Sequence, residues 1–85
     1  MPALIQSGNE AVGASSSEQT VNVTITAVSA TANCEIFFYN VKPVAGGTFI
    51  GIFDVQLTTT TNLQYKVHNN NEATKTFWQV TDWGA

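Results

Sequence analysis

Residues 20–27 read Thr20-Val21-Asn22-Val23-Thr24-Ile25-Thr26-Ala27, an unbroken alternation of polar and apolar side chains. A period of two in mostly β-branched residues is typical of a strand with one buried face. Four later segments, residues 34–42, 48–58, 63–68 and 74–82, are also rich in β-forming residues and bounded by turn-forming ones. Apolar residues nowhere recur at helical spacing over three turns. The pattern therefore predicts an all-β fold.

The connections between these segments are short, and short connections join neighbouring strands in antiparallel orientation. We expect a five-strand antiparallel meander over residues 20–85, curled into a small β-sandwich or a partly closed barrel. Residues 1–19 are expected to form an N-terminal arm. Within it, residues 7–19 are small and polar without any period, which predicts a flexible loop, while a short edge strand is allowed at residues 3–6.

Length and composition bound the function. A chain of 85 residues, 44% hydrophobic and 11% charged, suits one small folded domain. Three lysines, no arginine and a net charge of −3 argue against nucleic acid as a partner. The single cysteine excludes an internal disulfide. We expect no signal peptide and no membrane span, since a basic leader and a long apolar run are both missing, and the cellular location stays open.

The turn signal Gly46-Gly47 sets the expected register. A two-residue turn there places Phe38 opposite Val55, and a five-residue loop places Leu57 opposite Leu63. The same register, continued through the last hairpin, places Tyr65 beside Trp78 and Leu63 beside Val80. Both residues of every pair are then apolar, and such cross-strand pairs stabilise a sheet. The predicted core face consists of Ile36, Phe38, Phe53, Val55, Leu57, Leu63, Tyr65, Val67, Trp78 and Val80.

A second set of apolar residues points away from that core. Its members are Phe37, Tyr39, Val41, Ile50 and Ile52, and Phe77 and Trp83 share their phase. Left exposed, they form a patch of several hundred Å², about the size that marks an interaction site. Three alternatives remain for what covers this patch in the folded protein: the N-terminal arm, a second copy of the chain, or a ligand.

The function hypotheses differ in what covers this second apolar face. The arm has few large apolar groups, so the leading hypothesis is a structural or interaction subunit that forms a homo-oligomer through this face. Low charge favours it, because little repulsion keeps copies apart. The alternative is a carbohydrate- or small-ligand-binding module, in which aromatic rings stack on the ligand.

Catalytic chemistry is not predicted. His68 at a strand end is interpreted as a solvated side chain, and Cys34 as a small buried hydrophobe. Asp54 lies on the second face, across from Tyr39 in the expected register, and is the candidate polar contact for a phenol or a sugar hydroxyl. No group of residues has the spacing of a metal site or a nucleophile–base pair, so we expect no enzyme, no metal and no cofactor.

Overall fold

The structure, a computed structural model, describes residues 3–43 and 51–84. It is all-β, as predicted, with one 3₁₀ turn at Thr31–Asn33. In the part of the chain described, no helix has the length and apolar character needed to cross a membrane. The strands are β1 (Leu4–Val12), β2 (Gln19–Thr24), β3 (Cys34–Pro43), β4 (Gly51–Thr59), β5 (Asn62–His68) and β6 (Thr74–Asp82).

The strands form two antiparallel three-stranded sheets, named here by their central strands. The β6 sheet has the order β1-β6-β3, and the β5 sheet has the order β2-β5-β4. The predicted five-strand meander and the predicted partly closed barrel are therefore not confirmed for the described strands, which form two separate sheets. Phe38 lies opposite Trp78 rather than Val55. The meander assumed that sequence neighbours pair, which holds only about two-thirds of the time; the Gly46-Gly47 turn itself lies outside the described residues.

One hydrophobic core is shared by the inner faces of the two sheets. The Phe38 ring meets the Tyr65 ring edge-on across the core, with centroids 4.7 Å apart. The Tyr65 hydroxyl and the Thr76 hydroxyl are 2.6 Å apart, which gives the buried phenol a hydrogen-bond partner in the other sheet. The buried apolar residues are Val12, Val23, Ile25, Val28, Leu63, Tyr65, Val67, Trp78 and Val80. The core predicted for β5 and β6 is thus confirmed.

Strand β4 corrects part of that prediction. Leu57 pairs with Leu63 as expected, but Ile52 pairs with Val67, and Phe53 pairs with Lys66. The register shifts between Phe53 and Gln56, where Asp54 has a positive φ of 52°. Such a bulge adds a residue to one strand and reverses the alternation beyond it. Ile52 therefore packs against the core, while Phe53 and Val55 are exposed.

The N-terminal segment also differs from its prediction. Composition predicts a loop from residue 7 to residue 19, whereas β1 continues to Val12 and pairs with β6 along its whole length. Small residues have low strand propensity, but propensity yields to packing against a partner strand. Gly8 shows why a small residue belongs here, since it lies opposite Trp78 and the indole ring occupies the space of its missing side chain.

We expect Gly8→Ala to lower the free energy of unfolding by about 1–3 kcal/mol, the usual range for overpacking a core. A Cβ atom at Gly8 would lie 2.7 Å from Cζ2 of Trp78, closer than van der Waals contact allows. Gly13→Ala is the matched control, because nothing lies within 4 Å of its added Cβ. Urea unfolding of both variants measures the difference. Equal stability of the two variants would contradict this packing.

Candidate functional site

The outer face of the β6 sheet carries four aromatic side chains. In β6, Thr76, Trp78 and Val80 point into the core, so Phe77 lies on the opposite side. In β3, Phe37 and Tyr39 alternate with the inward residues Ile36 and Phe38. We call this surface the aromatic face; it consists of Phe37, Tyr39, Phe77 and Trp83.

The aromatic face is open to solvent. Phe37 is 47% exposed, Tyr39 is 60% exposed and Trp83 is 61% exposed. The Tyr39 and Phe77 rings contact each other with centroids 5.9 Å apart at an interplanar angle of 50°. The ammonium group of Lys75 lies 5.8 Å from the centroid of Phe77, within the range of a cation–π interaction. Exposed aromatic groups gathered on one sheet face are typical of an interaction surface.

Trp83 is held in place although it lies beyond the last strand. Its indole Nε1 donates to Oε1 of Glu35 at 2.7 Å, and its backbone N–H donates to the carbonyl of Asn33 at 2.9 Å. The backbone bond extends the pairing of β6 with β3 by one residue. The exposed indole therefore has a fixed orientation at one end of the aromatic face.

Asp82 fixes the strand end that carries Trp83. Its carboxylate accepts hydrogen bonds from the Ser29 backbone N–H at 2.6 Å, the Ser29 hydroxyl at 2.7 Å and the Gly84 backbone N–H at 3.0 Å. The bonds from the Ser29 N–H and hydroxyl lower the pKa of Asp82 below its ordinary value of 3.8, and the Gly84 bond lowers it further, against the opposing effect of burial. The ionised form of Asp82 is thus favoured in the folded chain.

We expect acid to weaken the fold partly through Asp82. A carboxylate whose folded pKa lies below its unfolded pKa stabilises the fold above the unfolded value, and this contribution disappears as pH falls through the folded pKa. The wild type should therefore lose stability below about pH 4, and Asp82→Asn should show a smaller loss over the same range. Thermal unfolding midpoints from pH 7 to below pH 3 measure both slopes. Parallel slopes would show that Asp82 does not contribute.

The structure does not bring all predicted site residues together. Ile52 belongs to the core side of the β5 sheet, so its prediction as a contact residue on the same face as Phe37 is wrong. Val41 lies opposite Thr76 in the register, beyond a β-bulge between Phe38 and Asn40. Ile50 lies outside the described residues. The remaining predicted residues, Phe37, Tyr39, Phe77 and Trp83, do share one face.

Asp54 is also separated from the aromatic face. It lies in the β5 sheet, and its carboxylate oxygen is 3.5 Å from the Lys66 ammonium, which is also 3.7 Å from Glu18. The predicted placement opposite Tyr39 is wrong because β3 and β4 belong to different sheets. Asp54 therefore forms an exposed ion pair on another surface.

Groups with catalytic potential are dispersed. Cys34 is half-buried, and burial, followed by the nearby Asp82 carboxylate, raises the pKa of its thiol. That shift keeps the thiol protonated and poorly nucleophilic. His68 lies in the β5 sheet, whereas Cys34 lies in the β6 sheet. Across residues 3–43 and 51–84, no three His, Cys, Asp or Glu residues are grouped closely enough to hold a metal ion.

A second candidate site is a cleft lined by residues of β1, by the segment that follows β2 and by Asp82 of β6. Its volume is about 240 Å³, below the usual size of a ligand pocket. The Gln6 amide in its wall already bonds the Thr26 backbone, donating to the carbonyl at 2.8 Å and accepting from the N–H at 2.9 Å. The Asp82 carboxylate in the wall is occupied by Ser29 and Gly84. Because these polar groups are already engaged, the cleft is a weaker candidate than the aromatic face.

Two charged residues on the aromatic side of the β6 sheet were not predicted from the sequence. Glu35 lies two residues before Phe37, and Lys75 lies two residues before Phe77. Both are exposed. Their spacing of two from an outward aromatic residue is the signal that places them on this face. They give the aromatic face a charged group at each end.

Comparison of the chain with models of known protein families, with curated proteins and with solved structures gave no significant match.

Proposed function

We propose that this chain is a small β-sandwich subunit without catalytic activity that self-associates through its aromatic face. The observation that supports the proposal is the grouping of Phe37, Tyr39 and Trp83, each about half exposed, beside Phe77 on the outside of one sheet. A second copy presents the same aromatic groups, so each face offers the other large apolar surfaces to bury. In a closed two-fold dimer, the same patch of both copies forms the interface.

Energetics support a reversible dimer. Burying a large apolar side chain gains about 1.5–3 kcal/mol. Association is opposed by the loss of about 4–15 kcal/mol of translational and rotational freedom, so several aromatic side chains must be buried together. The net charge of −3 and the 11% content of charged residues add little repulsion between copies. The expected product is a dimer that dissociates on dilution.

Sedimentation equilibrium of the wild-type chain tests this function. The apparent mass should rise from the 9.1 kDa of one chain toward twice that value as concentration increases from about 1 µM to about 1 mM. A mass that stays at one chain throughout this range would contradict self-association.

A carbohydrate-binding module is the second candidate, and the fixation of Trp83 favours it. The indole is exposed, and its bond to Glu35 orients the ring beside a carboxylate. A flat aromatic face with an adjacent hydrogen-bonding group suits a sugar ring, which has an apolar face and hydroxyl edges. In this function the aromatic face of a single copy receives the glycan.

The two candidates predict different results in a glycan screen. A monomer that binds a sugar, and loses that binding in Trp83→Ala, would favour the carbohydrate module. A dimer that binds no glycan would favour self-association. Trp78→Phe is unsuitable as a control because Trp78 lies in the core; Phe53→Ala changes an exposed aromatic residue of the β5 sheet and should leave any glycan binding unchanged.

A further inference from the structure

The aromatic face has opposite charges at its two ends. Glu35 of β3 lies opposite Thr81 of β6, whereas Lys75 lies six residues earlier along β6. At about 3.3 Å per residue, the two charged positions are about 20 Å apart along the strands. Lys42 is the register partner of Lys75, so two of the three lysines of the chain occupy backbone positions at the same end.

This separation of charge distinguishes two ways to stack the face on a second copy. If the two-fold axis runs along the strands, each Lys75 lies near Lys75 of the second copy. If the axis runs across the strands, the ends are exchanged and each Lys75 lies near Glu35 of the second copy. Like charges in contact are unfavourable and opposite charges are favourable, so the second arrangement is preferred.

We propose that two copies stack their aromatic faces with the strands antiparallel, so that Glu35 of each copy pairs with Lys75 of the other. This inference rests on the proposed function and adds the orientation of the partner. Phe37 lies opposite Gln79, which is two residues from Phe77 along β6. The same axis therefore sets Phe37 of one copy against the Tyr39 region of the second copy, and both Glu35–Lys75 pairs lie at the edges of the aromatic contact.

Zero-length crosslinking tests this orientation directly. A carbodiimide joins a carboxylate to an amine only when the two groups touch, and within one chain Glu35 and Lys75 are too far apart to react. We expect an amide between Glu35 and Lys75 in the wild-type dimer. Mixing ¹⁴N and ¹⁵N protein before the reaction identifies it by mass spectrometry as a link between copies.

The outcomes separate the orientation from self-association itself. A dimer in which Lys75 is linked between copies to other carboxylates, or to none, would overturn the antiparallel stacking while leaving self-association intact. A chain that remains monomeric at every concentration would overturn both proposals.

Charge reversal provides an independent measurement. Lys75→Glu and Glu35→Lys should each weaken dimerisation by about tenfold, since two symmetric pairs change from attraction to repulsion. The double variant should recover the electrostatic part of the loss because it restores opposite charges, whereas the Trp83–Glu35 hydrogen bond stays broken because lysine has no acceptor. Glu18→Lys carries the same charge change as Glu35→Lys but lies outside the aromatic face, and it should leave dimerisation unchanged. A double variant weaker than both single variants would contradict the pairing.

Discussion

Asn69→Ala is expected to lower the free energy of unfolding by about 3 kcal/mol, the largest stability effect of any polar substitution proposed for this chain. Asn69 is completely buried and directly follows β5. Its Nδ2 lies within hydrogen-bond distance of the Gly13 carbonyl at 2.9 Å and the Thr74 hydroxyl at 3.0 Å. Its Oδ1 accepts from the Ser15 backbone N–H at 3.1 Å. Alanine would remove all three bonds, and within the described part of the chain only the Thr74 hydroxyl among these groups has another hydrogen bond, to the Glu72 carbonyl at 3.2 Å.

The position of Asn69 explains why the effect should extend beyond a local loss. The loop from Gly13 to Glu18 carries the chain from β1 in the β6 sheet to β2 in the β5 sheet. The Asn69 side chain bonds this loop, and the following turn adds a bond from the Asn71 backbone N–H to the Ser15 carbonyl at 2.7 Å. One side chain therefore ties together the segments at which the chain changes sheets.

Asn9→Ala is the matched control for Asn69→Ala. Asn9 is exposed in β1, and substitutions at exposed positions usually change stability by less than about 0.5 kcal/mol. Chemical unfolding at low protein concentration, where dimerisation does not contribute, measures both variants. Similar losses in the two variants would mean that the buried hydrogen bonds of Asn69 do not add to the free energy of unfolding.

Much of the core could be predicted from the sequence because one-sided alternation is a local property. The inward phase of Leu63, Tyr65 and Val67 follows from a period of two, since a shift of one residue would turn the apolar side of the strand outward. The pairing of Leu57 with Leu63 also follows locally, since a short turn joins β4 and β5. These features are confirmed.

The partner of β3 could not be predicted in the same way. β3 pairs with β6, more than thirty residues away in the chain, so no short turn joins the two strands and sets their register. An apolar strand such as β3 offers acceptable cross-strand neighbours to β4 and to β6 alike. Packing of the whole molecule decides between them, which is why the meander prediction failed.

Only the part of the candidate site that depends on alternation within a single strand could be predicted from the sequence. Phe37, Tyr39 and Phe77 were assigned to one face correctly because each lies next to inward residues of its own strand. Ile52 was assigned wrongly because the bulge near Asp54 reverses the phase of β4. Aspartate tolerates a positive φ, but an aspartate within a strand sequence is not enough to predict a bulge.

Phe37→Glu is expected to raise the dissociation constant of the dimer by at least about a hundredfold, the effect of losing a central aromatic contact in both copies. A carboxylate placed between two aromatic faces would lose its hydration without gaining a partner. Because Phe37 is 47% exposed and points away from the core, the variant should keep its fold. Its unfolding midpoint should stay close to that of the wild type.

Phe53→Glu is the matched control for Phe37→Glu. Phe53 is 38% exposed but belongs to the β5 sheet, where its register partner is Lys66. The same substitution there introduces the same charge on the other sheet. It should leave dimerisation unchanged.

The most direct test of the central claim is sedimentation equilibrium of these two variants beside the wild type at one high concentration. We predict a mass of one chain, 9.1 kDa, for Phe37→Glu and the dimer mass for both Phe53→Glu and the wild type. A dimer that persists in folded Phe37→Glu, or dissociates to the same extent in Phe53→Glu, would contradict the assignment of the aromatic face as the surface of self-association.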